Sequence, residues 1–134
     1  MKTMKNVILS VVVMFLIASC VTTEKFPVSS VTPAAVIIAK IKKDKNHNYA
    51  ISITAHYLAS AEMLTPPKRI YVAWIKTYNN DVKNIGQLVS KTTKESSLAA
   101  ISSFQPSEVF ITAEDEGNIS SPLGVEIART TVKR

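Results

Sequence analysis

Cysteine is nearly missing from this chain of 134 residues, with Cys20 the single example. That excludes an intrachain disulfide and the cysteine-rich spacings of structural zinc sites. Stability must come from packing, which a domain of about 100 residues supplies without staples. Histidine is scarce too. His47 and His56 lie nine residues apart, match no metal-ligand spacing and read as surface residues. After the first twenty residues no apolar run is long enough to cross a bilayer as a helix. No serine has a Gly-x-Ser-x-Gly setting or a placed base, so nucleophilic catalysis has no sequence support. The one acidic run, Glu114-Asp115-Glu116 before Gly117-Asn118, offers oxygen ligands for Ca²⁺ but lacks the alternating spacing of an EF-hand, and reads as a solvated turn. No cofactor is implied.

What is present starts with an export signal over 1–19. Lys2 and Lys5 form a positive start, and Val7 to Ala18 is apolar apart from Ser10. These 12 residues span about 18 Å as a helix, short of the ~30 Å bilayer core, so the run is a signal core and not a permanent span. Ile17-Ala18-Ser19-Cys20 follows directly. This tetrapeptide resembles the lipobox of bacterial lipoproteins. The resemblance implies cleavage between Ser19 and Cys20 and a diacylglycerol on the Cys20 thiol, the nucleophile that takes the lipid. It also implies attachment of the domain to a membrane of the bacterial envelope. Val21 follows the cysteine where an Asp would retain an enteric lipoprotein at the inner membrane, which points to the outer membrane.

The chain carries 16 Lys+Arg and 10 Asp+Glu; without Lys2 and Lys5 the balance is 14 against 10, or +4. Lys40, Lys42, Lys43 and Lys45 cluster. They read as solvated hairpin lysines that discourage edge pairing, with anionic lipid, glycan or an acidic protein as the functional alternative. Nucleic acid is no expected partner for an exported, anchored chain.

Val21 to Pro33 is rich in Ser, Thr and Pro and reads, with Cys20, as a flexible tether over 20–33. The domain is expected over 34–134. Ala35 to Lys43 alternates, with Ile37, Ala39 and Ile41 on one face. After the turn Asp44 to Asn48, Tyr49 to Leu58 has the clearest period of two, with Tyr49, Ile51, Ile53, Ala55 and Tyr57 inward. Ala59 to Arg69 connects, with a short helical turn near Ala61 and a stop at Pro66-Pro67. Ile70 to Lys76 is apolar on both faces and holds the one tryptophan, Trp74, which is expected to be buried as a packing residue. Val82 to Val89 contains Gly86, which suggests a bulge or close packing against Trp74. Leu98 to Phe104, Glu108 to Glu114 and Val125 to Val132 complete about seven strands. This is the pattern of an all-β, antiparallel sandwich, with a barrel as the alternative.

Tyr71-Val72-Ala73-Trp74, Ile85-Gly86-Gln87-Leu88, Val109-Phe110-Ile111-Thr112-Ala113-Glu114 and Ser121-Pro122-Leu123-Gly124 occur in that order. From Ile70 to Thr130 the chain resembles the extracytoplasmic domain of anti-sigma-K-type regulators. The resemblance implies an Ig-like sandwich. The cytoplasmic sigma-binding domain and spanning helix of those regulators have no counterpart here, so sigma-factor control is not implied.

Among exposed positions, Tyr78 with Asn79, Asn80 and Asp81 is the loop best suited to touch a glycan or protein. The functional expectation is a lipid-anchored, non-enzymatic binding or structural module of the cell envelope. The competing reading is a metal-dependent or glycan-acting envelope enzyme, or a Ca²⁺-binding module.

Overall fold

The computed structural model describes residues 20–134. They form nine strands: β1 (Val21–Lys25), β2 (Val36–Lys43), β3 (Tyr49–His56), β4 (Ile70–Thr77), β5 (Val82–Gln87), β6 (Val89–Ser90), β7 (Glu95–Ser102), β8 (Pro106–Glu114) and β9 (Glu126–Thr131). A 3₁₀ turn at Ala61–Met63 falls where a short helical turn is expected. The strands make two antiparallel sheets, ordered β1-β2-β3-β7-β6 and β5-β4-β8-β9. The chain is thus an all-β sandwich of two separate sheets, and the barrel alternative is not adopted.

The period of two accounts for the core. Ile37, Ala39 and Ile41 of β2 lie opposite Ala55, Ile53 and Ile51 of β3. Tyr71, Ala73 and Ile75 of β4 lie opposite Ala113, Ile111 and Val109 of β8. All twelve are buried in one cluster between the sheets. Four of these six pairs set a large side chain beside an alanine, the alternation that lets two layers interdigitate. Each buried isoleucine contributes about 1.5–3 kcal/mol.

Four expectations are corrected. The tether assigned to 20–33 is not a tether: Val21–Lys25 is an edge strand, with Val21 opposite Lys42 and Lys25 opposite Ile38. Phe26 is buried in the main core, and its N–H donates to Ile37 O at 2.9 Å. The sandwich therefore begins at 21 and not at 34, one residue after Cys20. β-Branched Val21, Thr22 and Thr23 suit a strand, and Phe26 fixes its end.

The single strand expected over Val82 to Val89 is two. β5 belongs to one sheet and β6 to the other, with buried Leu88 at the crossing. The bulge expected at Gly86 is present, as a register shift between Ala73 and Trp74. Gly86 packs against Leu98 and not Trp74: a Cβ there would lie 3.1 Å from Leu98 Cδ1, and its φ of +128° favours glycine.

The third correction is Tyr57. It is 58% exposed and not inward, because β3 ends at His56 and Tyr57 has φ 58°. The fourth is the strand expected over Leu98 to Phe104: β7 runs from Glu95 to Ser102, and Phe104 lies beyond its end at 48% exposure.

Trp74 is fully buried as expected, but not in the main core. It lies on the outer face of the four-stranded sheet in a second cluster with Val72 and Phe110. Its ring stacks on Phe110 at 6.2 Å, and Arg129 covers Phe110 at 4.0 Å. The 115–125 connection encloses this cluster, with Ile119 packed against it.

Candidate functional site

The register divides the connections between two ends of the sandwich. Cys20, the β2–β3 turn, the Tyr78–Asp81 turn, the Ser103–Gln105 link and the Lys133–Arg134 segment share one end. The 26–35, 57–69, 91–94 and 115–125 connections share the other. Strands of eight residues separate the ends by roughly 26 Å.

The far end holds a cleft of ≈ 240 Å³. Leu58, Ala61, Leu88 and Tyr71 form its apolar part, while Arg69, Lys94, Glu95 and the hydroxyls of Ser60, Ser90, Thr92, Thr93 and Ser96 form the rest. Each wall is positioned by backbone. Left-handed Tyr57 turns the chain out of β3, and its N–H donates to Lys94 O at 2.8 Å. Lys91 N–H donates to Glu95 O at 2.8 Å and closes the β6–β7 turn. Arg69 N–H donates to Glu114 O at 3.0 Å, which ties the entry of β4 to the end of β8. The phenol of Tyr71 donates to Ala59 O at 2.5 Å, and burial pushes its pKa up to about 12. It is therefore a neutral donor at physiological pH, holding the Leu58–Ala61 wall. Among the described residues neither Arg69 nor Lys94 belongs to an ion pair. Cations beside hydroxyls suit a ligand with anionic oxygens. Three connections of this end each expose a large apolar side chain: Val28, Met63 and Leu123.

The residues singled out from sequence are dispersed. Cys20 is exposed at the near end, while Ser19 and the signal lie outside the described residues. Tyr78, Asn79, Asn80 and Asp81 form a turn at the near end, closed by Thr77 N–H to Asp81 O at 2.9 Å, with Asn80 at φ 66°. Tyr78 remains 43% exposed, with Arg134 over its ring at 4.3 Å.

Glu114, Asp115 and Glu116 do not converge. Glu114 is buried and Asp115 pairs with Lys68 at 3.4 Å. Glu114 Oε2 accepts from Thr112 Oγ1 at 2.6 Å, and Oε1 accepts from Gly124 N–H at 2.8 Å and Leu123 N–H at 3.2 Å. The carboxylate is a fastener for the 115–125 connection. His47 and His56 sit at opposite ends of β3. Among the described residues no group of three or more His, Cys, Asp or Glu side chains is placed to hold a metal ion.

Sequence reading missed the cleft. Its residues come from the 57–69 and 91–94 connections, from Leu88 and from the ends of β4, β6 and β7, and serines and threonines in turns carry no spacing signal. Comparison of the chain with family models, with curated proteins and with solved structures finds no match.

Proposed function

We propose that this chain is a bacterial lipoprotein, acylated on Cys20, whose sandwich is a non-enzymatic binding module of the cell envelope. The observation that carries the reading is an opposition: exposed Cys20, closing a lipobox, lies at one end of the sandwich, and the cleft at the other. An anchored domain built this way presents its cleft away from the membrane. Arg69 and Lys94 would engage anionic groups of an envelope glycan or protein, and exposed Val28, Met63 and Leu123 would add apolar contact. The likeness of Ile70 to Thr130 to the extracytoplasmic domain of anti-sigma-K-type regulators supports a module of this kind. The outward-sorting Val21 favours the outer membrane.

Metabolic labelling with palmitate tests the anchor: label is expected on the wild-type chain and not on Cys20→Ala, and label that persists in Cys20→Ala overturns it. A photo-crosslinker at Thr93 in intact cells tests the cleft. It should capture one discrete partner, with capture reduced by Arg69→Glu; equal capture from Arg69→Glu would refute the assignment.

A further inference from the structure

We propose that the Cys20 end of the sandwich is a docking face that seats the domain directly on an anionic phospholipid bilayer. The inference rests on the membrane-anchored reading of the N-terminus and adds a second, non-covalent contact to it.

Distance comes first. A 13-residue tether would let the domain float up to about 43 Å from its anchor, but β1 starts at Val21. Whatever holds Cys20 in a membrane therefore holds this end of the sandwich at the headgroups, within the ~8 Å screening length at which charges still act.

Composition comes next. Cys20, Lys43, Lys133 and Arg134 line one hollow of ≈ 220 Å³ between the sheet ends. Beside it, two aromatic rings face solvent, each beneath a cation. Lys83 Nζ is 4.9 Å from the ring centre of Phe104, and Arg134 is 4.3 Å from that of Tyr78. Exposed rings carrying cationic heads are the side chains that settle at a bilayer interface, the ring among acyl carbonyls and the head among phosphates. Phe104 lies just past the end of β7, held there by its N–H, which donates to Ser102 Oγ at 3.0 Å, and is 48% exposed.

The patch continues onto the outer face of the five-stranded sheet. One register row there reads Val21, Lys42, Ala50, Ile101. Ile101 is 74% exposed, and Lys40 stands in the next row. A tilt toward this face brings a further apolar residue and two lysines to the bilayer.

Acidic groups at this end are few. The Asp44 carboxylate accepts from Asn46 N–H at 2.8 Å and Asn48 N–H at 2.9 Å within its turn, and Asp81 closes the other turn. Glu108 is matched by Lys76 and Arg129, both at 3.4 Å. Lys43, Lys45, Lys83, Lys133 and Arg134 remain against those two aspartates. The far end is closer to balance: Glu62, Glu95, Asp115 and Glu116 stand against Lys25, Lys68, Arg69, Lys91 and Lys94, with Lys68 paired to Asp115. Charge complementarity thus selects an anionic bilayer and selects this end for it.

The test uses the full chain isolated from membranes and returned to vesicles. A nitroxide is placed on Ser103→Cys, beside Phe104, and in a second preparation on Thr93→Cys at the cleft. Accessibility is read with oxygen, which enters lipid, and with a water-soluble nickel chelate. In vesicles of one part phosphatidylglycerol to two parts phosphatidylcholine, the Ser103→Cys label should become oxygen-accessible and lose nickel accessibility. In phosphatidylcholine alone, or with Lys83→Glu plus Arg134→Glu, it should stay in water. The population docked should fall by about tenfold or more in that double variant, because each basic residue at the surface is worth about fivefold. The Thr93→Cys label should stay in water throughout, and an unchanged β-sheet circular dichroism spectrum reports that the variants fold. A Ser103→Cys label as nickel-accessible as Thr93→Cys on anionic vesicles overturns the proposal. The mass of the N-terminal peptide reports acylation separately. If Cys20 is unmodified, the anchor reading fails, and the same measurement in a Cys20→Ser background still decides the docking face.

Discussion

Trp74 Nε1 donates a 2.8 Å hydrogen bond to Thr112 Oγ1 on the outer face of the four-stranded sheet, where an indole is ordinarily exposed. The same hydroxyl donates to Glu114, whose other oxygen accepts from Gly124 N–H. A single relay therefore joins a strand residue, its neighbour strand and the connection that covers both. It explains how β4 is buried on both faces when the sandwich has only two layers.

Removing the indole should be costly. Trp74→Ala should destabilise the domain by about 3–5 kcal/mol through a large outer-face cavity. Thr112→Val keeps the shape but strands the indole N–H and the Glu114 carboxylate, and should cost about 1–3 kcal/mol. Urea unfolding followed by Trp74 fluorescence measures Thr112→Val, and circular dichroism measures both variants. Unchanged midpoints would contradict the relay.

Gly124 should tolerate no side chain. A Cβ there would sit 1.8 Å from Ala113 O and 3.2 Å from Glu114 Oε1. Gly124→Ala should lift the 115–125 connection off the sheet and expose Trp74. A red shift of its emission at native conditions, with the far-ultraviolet spectrum retained, is the expected outcome.

Stability should fall at alkaline pH through Tyr71. Its folded pKa is raised to about 12 from an ordinary 10 by burial. Between those values the unfolded chain loses the phenolic proton and the folded chain keeps it, so the unfolded state binds fewer protons and stability declines as pH rises from 10 to 12. Tyr71→Phe removes that dependence, at about 1 kcal/mol for the lost bond to Ala59 O. Melting temperatures across this window should drop less steeply for Tyr71→Phe than for wild type; parallel slopes would contradict the assignment.

Much of the sandwich was legible in its residues. Ile37, Ala39, Ile41 and Ile51, Ile53, Ala55 alternate cleanly because one face of each strand meets the core, and the structure puts them there. The two-faced apolar pattern of Ile70 to Ile75 signalled burial on both sides, yet the cover for its outer face comes from the 115–125 connection, which no local pattern reveals. β1 was illegible for a different reason. Its inward position is Glu24, a polar residue satisfied by Lys133 N–H at 3.0 Å from the far end of the chain. Without an apolar alternation, Val-Thr-Thr-Glu-Lys reads as linker. The split at Leu88 was hidden because a strand that changes sheets keeps its residue type on both sides of the corner.

The short reach between Cys20 and the sandwich has its own check. The N–H groups of Glu24 and Phe26 face β2, that of Phe26 donating to Ile37 O at 2.9 Å, and should show hydrogen-exchange protection comparable to other edge residues. Exchange as fast as in an unstructured peptide would restore the tether.

The central claim is a domain fastened to the membrane through Cys20. Its most direct test is the mass of the N-terminal peptide of the protein isolated from bacterial membranes. The expected peptide begins at Cys20 and carries the mass of a thioether-linked diacylglycerol. A peptide that begins at Met1, or one with an unmodified thiol at Cys20, would contradict it.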